Sequence, residues 1–205
     1  MSVAIFLDSE TTGFIKPCRD SDDSQPHAVQ LAASMVDLDR RKILSSIDLI
    51  IKPEGWDIEQ EAMETHGIST EMAMDLGVSE KVAIEVLVDF ITDADNEFRL
   101  LIGHNIHFDA RILRIAMKRY GMRELALTQK EAETYCTMNN STKIVQCPPT
   151  EKMEAAGRNH SKSPNLGEAY KFFTGKDLSG AHNAMVDVKA CMHVYFGIID
   201  YEKTS

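Results

Sequence analysis

Asp8 and Glu10 stand two residues apart where an apolar run, Val3 to Leu7, gives out. Two further carboxylates sit in comparable settings. Asp109 closes His104-Asn105-Ile106-His107-Phe108-Asp109 behind the apolar Leu100-Leu101-Ile102, and Asp187 closes His182-Asn183-Ala184-Met185-Val186-Asp187. An ionised carboxylate in apolar surroundings is costly unless a positive charge offsets it, and a divalent cation is the usual solution. Strand alternation puts Asp8 and Glu10 on one face. Two carboxylates ~4 Å apart repel by about 4 kcal/mol at an effective dielectric of 20, and a cation between them reverses the sign. Four such carboxylates and one histidine suit metal-assisted hydrolysis of a phosphodiester.

Each segment also has a plainer reading. Thr11, Thr12 and Gly13 follow Glu10 as the chain leaves the strand, and their N–H groups and hydroxyls can hold a sugar hydroxyl or phosphate; the same residues suit a solvated polar strand end. Asp109 falls in the first turn of a helix, where the helix dipole favours an acid in any protein. His104 and Asn105 sit at the strand-to-helix turn, open to a ligand. Phe108 suits base stacking and core packing equally. His182 and Asp187 would lie about 140° apart on a continuous helix and could not share a site. With Asn183 as N-cap, His182 precedes the helix and can swing toward Asp187; a surface histidine and a first-turn acid are the alternative.

These side chains need elements to position them. Val3 to Asp8 reads as a buried central strand. Residues 29–37 and 43–51 read as a hairpin turning through Asp37-Leu38-Asp39-Arg40-Arg41-Lys42. Lys16 to His27, with Pro17 and Pro26, reads as an exposed loop. Residues 57–66 look helical. Ser79 caps a helix from Glu80 to about Asp93, with Val82, Val86, Leu87, Phe90 and Ile91 as its apolar face. Arg99 to Gly103 is a short buried strand. Phe108 to Tyr120 is an amphipathic helix, with Ile112, Ile115 and Ala116 beside Phe108 and Gly121 as its stop. Asn139 to Pro164 reads as a long loop of a kind usually functional or mobile. Two helices follow, Leu166 to Thr174 and Asn183 to Phe196. The order implies an α/β domain with a mixed sheet.

A chain of 205 residues can hold one domain with a substantial core. No apolar run reaches the ~18 residues that span a bilayer, and the N-terminal run is too short for a signal peptide. Cys18, Cys136, Cys147 and Cys191 form no C-x-x-C pair, which suits neither a zinc site nor a disulfide framework and fits a reducing cytoplasm. Met63, Met72 and Met74, in helix-like stretches, read as core filling. The net charge of −10 is unusual for a nucleic-acid binder. It implies a short footprint gripped through metal and a terminal nucleotide, with a partner protein supplying further hold.

The three segments, D-x-E-T-T-G at Asp8 to Gly13, H-N-x-x-F-D at His104 to Asp109 and H-x-x-x-x-D at His182 to Asp187, resemble the exonuclease motifs of the DEDD family, histidine subtype. His66-Gly67-Ile68-Ser69, Tyr135-Cys136-Thr137-Met138 and Pro164 to Gly175 resemble further family segments, so the likeness covers nearly the whole chain. The Lys16–His27 and Asn139–Ser163 stretches depart from the common pattern. The resemblance implies one 3′-to-5′ exonuclease domain over 1–205 with a ribonuclease H-like fold: three leading antiparallel strands, then parallel strands, flanked by helices. It implies that Asp8, Glu10, Asp109 and Asp187 hold two divalent cations, Mg²⁺ or Mn²⁺. His182 is then the general base. Ser9, Thr11, Thr12 and Gly13 recognise the terminal sugar, and His104, Asn105 and Phe108 line the nucleotide pocket. The substrate is a nucleic-acid 3′ end, DNA ahead of RNA, released as 5′-mononucleotides. The family admits a stand-alone enzyme, a proofreading partner of a polymerase, or a non-catalytic subunit.

Overall fold

The computed structural model describes residues 2–95 and 97–204; Met1, Asn96 and Ser205 of the expected 1–205 domain lie outside the described residues. The elements run β1 (Val3–Thr11), β2 (Ala28–Asp37), β3 (Lys42–Lys52), α1 (Gln60–His66), α2 (Thr70–Leu76), β4 (Val78–Ser79), α3 (Glu80–Ile91), β5 (Leu100–Gly103), α4 (Ile106–Arg119), α5 (Arg123–Lys130), β6 (Thr134–Cys136), α6 (Thr137–Val145), α7 (Glu151–Ala155), α8 (Leu166–Thr174) and α9 (Ala184–Thr204). The sheet order is β4-β3-β2-β1-β5-β6. Strands β1, β2 and β3 are antiparallel, and β5 and β6 join β1 in parallel. This is the mixed sheet expected.

Alternation along β1 feeds two cores. Ile5 and Leu7 pack with α3 and α4, through Ile84, Leu87, Ile112 and Leu113. Ala4 and Phe6 pack with α9, through Ala184, Val188, Cys191 and Tyr195. The Phe6 and Tyr195 rings meet edge to face at 5.5 Å, worth about 0.5–1.5 kcal/mol beyond their buried area. Helix α8 then packs on α9 at Gly197, where an added Cβ would lie 2.6 Å from the Phe173 ring. Gly197→Ala should therefore destabilise the fold by about 1–3 kcal/mol through overpacking. Urea denaturation checks this; an unchanged midpoint would show that the two helices can separate freely.

Several expectations need correction. Val82 and Val86 are exposed, and α3 instead buries Glu80, Ala83, Ile84, Leu87, Val88 and Ile91. Glu80 sets that rotation: it is 0% exposed and accepts bonds from His27 Nδ1 at 2.8 Å, Arg119 Nη1 at 3.0 Å and Tyr120 Oη at 2.8 Å. Met72 and Met74 are exposed too. Helix α2 lies so close to β3 that only Ala73 fits beneath it, and a Cβ on Gly77 would come within 2.5 Å of the Lys52 nitrogen. The Lys16–His27 loop is not wholly exposed, since Gln25 and Pro26 are buried and Asp20 pairs with Arg111 and Lys118 of α4. The Asn139–Pro164 stretch carries the end of α6 and all of α7. Its poor helix formers bond to their own backbone: Asn140 Nδ2 to the Cys136 carbonyl at 2.8 Å and Thr142 Oγ1 to the Met138 carbonyl at 2.8 Å. Helix α5 was not anticipated, and α9 continues beyond Phe196 to Thr204.

Candidate active site

Strands β1 and β5 end side by side, and their carboxyl ends carry the site, as open α/β sheets generally arrange it. Strand β5 closes on Gly103, where a Cβ would stand 3.0 Å from the Leu7 carbonyl and 2.9 Å from Ile106 Cδ1. Only glycine lets the following turn press against β1. Asn105 completes the turn at φ 73°, a left-handed conformation that asparagine tolerates. Helix α4 therefore starts beside β1 and delivers Asp109 in its first turn. Asp109 is 5% exposed and accepts a 2.6 Å bond from Ser9 Oγ, which points to the α4 side of β1.

Helix α9 delivers the opposite wall. Asn183 Oδ1 accepts from the Val186 N–H at 3.2 Å, so Asn183 is the expected N-cap. His182 lies before it at φ 64°, and its N–H bonds Asp187 Oδ2 at 3.1 Å. The left-handed residue removes the 140° separation of a continuous helix. Glu10, His182 and Asp187 place their donor atoms within 4.8 Å of one another. Asp187 is 8% exposed, and its Oδ1 has no hydrogen-bond partner.

Asp8 joins the two walls. Burial pushes its carboxyl well above the usual range, and Asp109, Asp187 and Glu10 push it further. Burial also raises Asp109, to about 7, against the opposing bond from Ser9. Glu10 is raised by burial and by Asp187, with His182 opposing. Burial raises Asp187, again opposed by His182. Four carboxylates repelling one another around a buried, unpartnered oxygen form a donor set that divalent cations fit.

The residues expected to bind substrate divide. Ser9 gives its hydroxyl to Asp109, so it supports a carboxylate. Thr11 Oγ1 donates to the Gly13 carbonyl at 2.8 Å, and Thr12 pairs with His27 through N–H to carbonyl at 3.0 Å and through Oγ1 at 3.1 Å. Gly13 sits at φ 152° in the bend. His104 is spoken for at both nitrogens, with Thr137 Oγ1 at 3.0 Å and the Pro164 carbonyl at 3.0 Å. It fastens the β5–α4 turn to α6 and to the start of α8. Asn105 is exposed, and Phe108 is half-buried against the core.

Three further residues were not singled out by the sequence. Phe14, next after Gly13, is 87% exposed. Gln30, opposite Glu10 across β1 and β2, accepts the Ala184 N–H at 3.1 Å and so ties the start of α9 to the sheet. A glutamine inside the apolar Ala28-Val29-Gln30-Leu31 run was the available signal. His66 Nδ1 accepts the Ile68 N–H at 3.1 Å, which leaves the proton on Nε2 of the neutral ring, buried and without a partner. Burial lowers its pKa, and the charge of His182 lowers it further.

On the expectation that Asp109 binds metal, Ser9→Ala should slow turnover roughly 10- to 100-fold, the usual cost of losing a bond that orients such a ligand. Single-turnover rates at saturating metal check this, with Ser9→Thr expected to recover most of the loss. A wild-type rate for Ser9→Ala would mean that Asp109 needs no such support.

The RNase_T family model, described as an exonuclease, matches residues 5–195. No curated protein sequence matches the chain. Among solved structures, E. coli Exonuclease I in complex with a dT13 oligonucleotide is similar at a TM-score of 0.73 and 16% identity, over 100% of this chain and 42% of that one. A moderately thermophilic Exonuclease I from Methylocaldum szegediense is similar at 0.72 and 20% identity, over 100% and 42%. The chain thus spans less than half the length of either. With its matched length and its ribonuclease H-like sheet carrying DEDD-type motifs, this chain belongs to the exonuclease family.

Proposed function

We propose that residues 1–205 form one 3′-to-5′ exonuclease domain that removes 5′-mononucleotides from single-stranded or frayed DNA ends. The observation that carries this is the convergence of Asp8, Glu10, Asp109 and Asp187 on one end of β1, with His182 beside them. The single-stranded preference is supported by similar structures that hold dT13 and dA16 oligonucleotides.

When bound, two divalent cations, Mg²⁺ or Mn²⁺, supply Lewis-acid stabilisation of phosphate charge and acidify the attacking water. Asp8, Glu10, Asp109 and Asp187 would hold them. His182, exposed on its left-handed turn, has room to reach that water and accept its proton, and Glu10 and Asp187 stand ready to face the charge it gains. The Phe14 ring offers a face to a base, worth about 1–3 kcal/mol per stacked base. The Thr11–Gly13 bend, held by His27, shapes the pocket for the terminal sugar. An acidic surface leaves few phosphate contacts beyond this footprint, so a polymerase or other replication protein is the proposed source of further grip.

Matched DNA and RNA oligomers with free 3′ ends test the substrate. The proposal expects faster release of 5′-mononucleotides from DNA. Faster release from RNA would reassign the enzyme as an exoribonuclease.

A further inference from the structure

The net charge of −10 is not spread evenly. Between Pro53 and Ser79 the chain holds seven of its 32 acidic residues and none of its 22 lysines and arginines, so this segment carries −7 and the rest nearly balances. All seven acids are exposed, and among the described residues none pairs with a lysine or arginine. Large apolar side chains share that surface. Met72, Met74 and Leu76 of α2 are exposed, Leu76 by 60%. Glu71 and Asp75 form the outward ridge of the helix, opposite buried Ala73. Met74 lies on one side of that ridge, and Met72 and Leu76, four residues apart, lie on the other. A groove of ≈ 700 Å³ is lined by Ser69, Glu71, Met72, Met74 and Asp75. The surface is preformed. Ser69 Oγ caps α2 by accepting the Met72 N–H at 3.1 Å, and Gly77 lies so close to the Lys52 and Ala73 backbone that no Cβ fits there.

We propose that the exposed face of α2 is a docking site for a basic amphipathic helix of a partner protein. The partner's apolar side chains seat against Met72, Met74 and Leu76, and its lysines or arginines face Glu71 and Asp75. Methionine suits such a surface, because its flexible thioether moulds to apolar groups of varied shape. Charge selects this occupant over the others. A nucleic acid or an anionic membrane would meet seven unpaired acids, and two copies of the same face would repel each other. The acids steer the partner in, and the apolar contacts hold it. The site does not rest on the exonuclease reading. Where that reading stands, the partner docks outside the catalytic machinery.

A synthetic helix of leucine and lysine at helical spacing is the probe, with a leucine–glutamate helix and oligolysine as controls. In a titration followed by ¹⁵N amide and methionine methyl signals, the leucine–lysine helix should bind and move the signals of Met72, Met74 and Leu76. Met72→Ser combined with Met74→Ser should weaken that binding at least ~10-fold by removing apolar surface that the helix buries. Glu71→Gln combined with Asp75→Asn should weaken it about 2- to 10-fold and flatten its salt dependence. These side chains are exposed, so the fold is expected to persist, and a thermal melt verifies it. Cleavage of a short oligomer should match wild type in both variants. Equal affinity for the leucine–glutamate helix or for oligolysine overturns the proposal, as does equal affinity in wild type and the methionine variant. Signals that move only elsewhere on the protein, or no binding at all, overturn it too. Met72 and Met74 signals that move with protein concentration alone would assign the face to a second copy of this chain and overturn the partner.

Discussion

Asp8→Asn should lower single-turnover exonuclease activity by at least ~10³-fold, about 4 kcal/mol of transition-state stabilisation, and should raise the melting temperature of the metal-free protein. Both effects come from one cause. Asp8 is pushed upward by burial and by three neighbouring carboxylates, so its folded pKa lies above its unfolded value. A group shifted that way contributes its stability below the unfolded pKa and loses it as pH rises through the folded pKa. Near pH 8 the metal-free site therefore holds charges that oppose folding. The neutral amide removes one of them, for a gain of at least ~1 kcal/mol, or about 2–4 °C in a chain of this size. Metal reverses the comparison: Mg²⁺ should raise the melting temperature of the wild type and do less for the variant. Scanning calorimetry in chelator and in Mg²⁺, beside a cleavage assay, reads all of this. A variant that is both inactive and less stable in chelator would mean that Asp8 is a packing residue.

Glu80→Ala should cost about 3–5 kcal/mol of folding stability, because removing one partner of a buried pair strands the other charge. Glu80 is fully buried and receives Arg119, His27, Tyr120 Oη and the Ala28 N–H. Burial alone would raise its pKa, yet the bond from His27 and the Arg119 charge carry it below the usual carboxylate value. A folded pKa below the unfolded one contributes stability that is complete above the unfolded pKa and is lost as pH falls through the folded pKa. The difference between wild type and Glu80→Ala should therefore be full at pH 7 and shrink as the solution is acidified below pH ~4. Urea denaturation across that range measures it. Catalysis should suffer as well, because His27 holds Thr12 at the mouth of the site. A pH-independent difference would mean that Glu80 acts through packing alone.

The carboxylates were legible because each breaks a local rule. Acids at the end of an apolar strand, or set into an apolar helix face, conflict with burial, and that conflict survives in a sequence. The His182–Asp187 pairing was legible only through its conditional form: an N-cap at Asn183 was needed, and the structure supplies one. The β2–β3 hairpin and the mixed sheet followed from turn residues and apolar runs, and the antiparallel-then-parallel layout from the family resemblance. What failed to show depended on partners distant in sequence. The rotation of α3 is set by Arg119 and His27 on Glu80, so Val82 and Val86, apolar and at helical spacing, misled. Exposure of Met72 and Met74 reflects how closely α2 approaches β3, which periodicity does not encode. His104 carried the look of a ligand-binding turn, yet its bonds to Thr137 and Pro164 span 33 and 60 residues. Gln30 lies outside the three motifs, and its role becomes visible only once β2 brings it against the start of α9.

The most direct test is a 5′-labelled single-stranded DNA oligomer incubated with Mg²⁺, with Mn²⁺ and with chelator, alongside His182→Ala. A ladder shortening from the 3′ end, dependent on metal and lost in the variant, is the predicted result. A metal-independent ladder, or one that His182→Ala leaves at full rate, would contradict the assignment of the four carboxylates and His182 to the reaction.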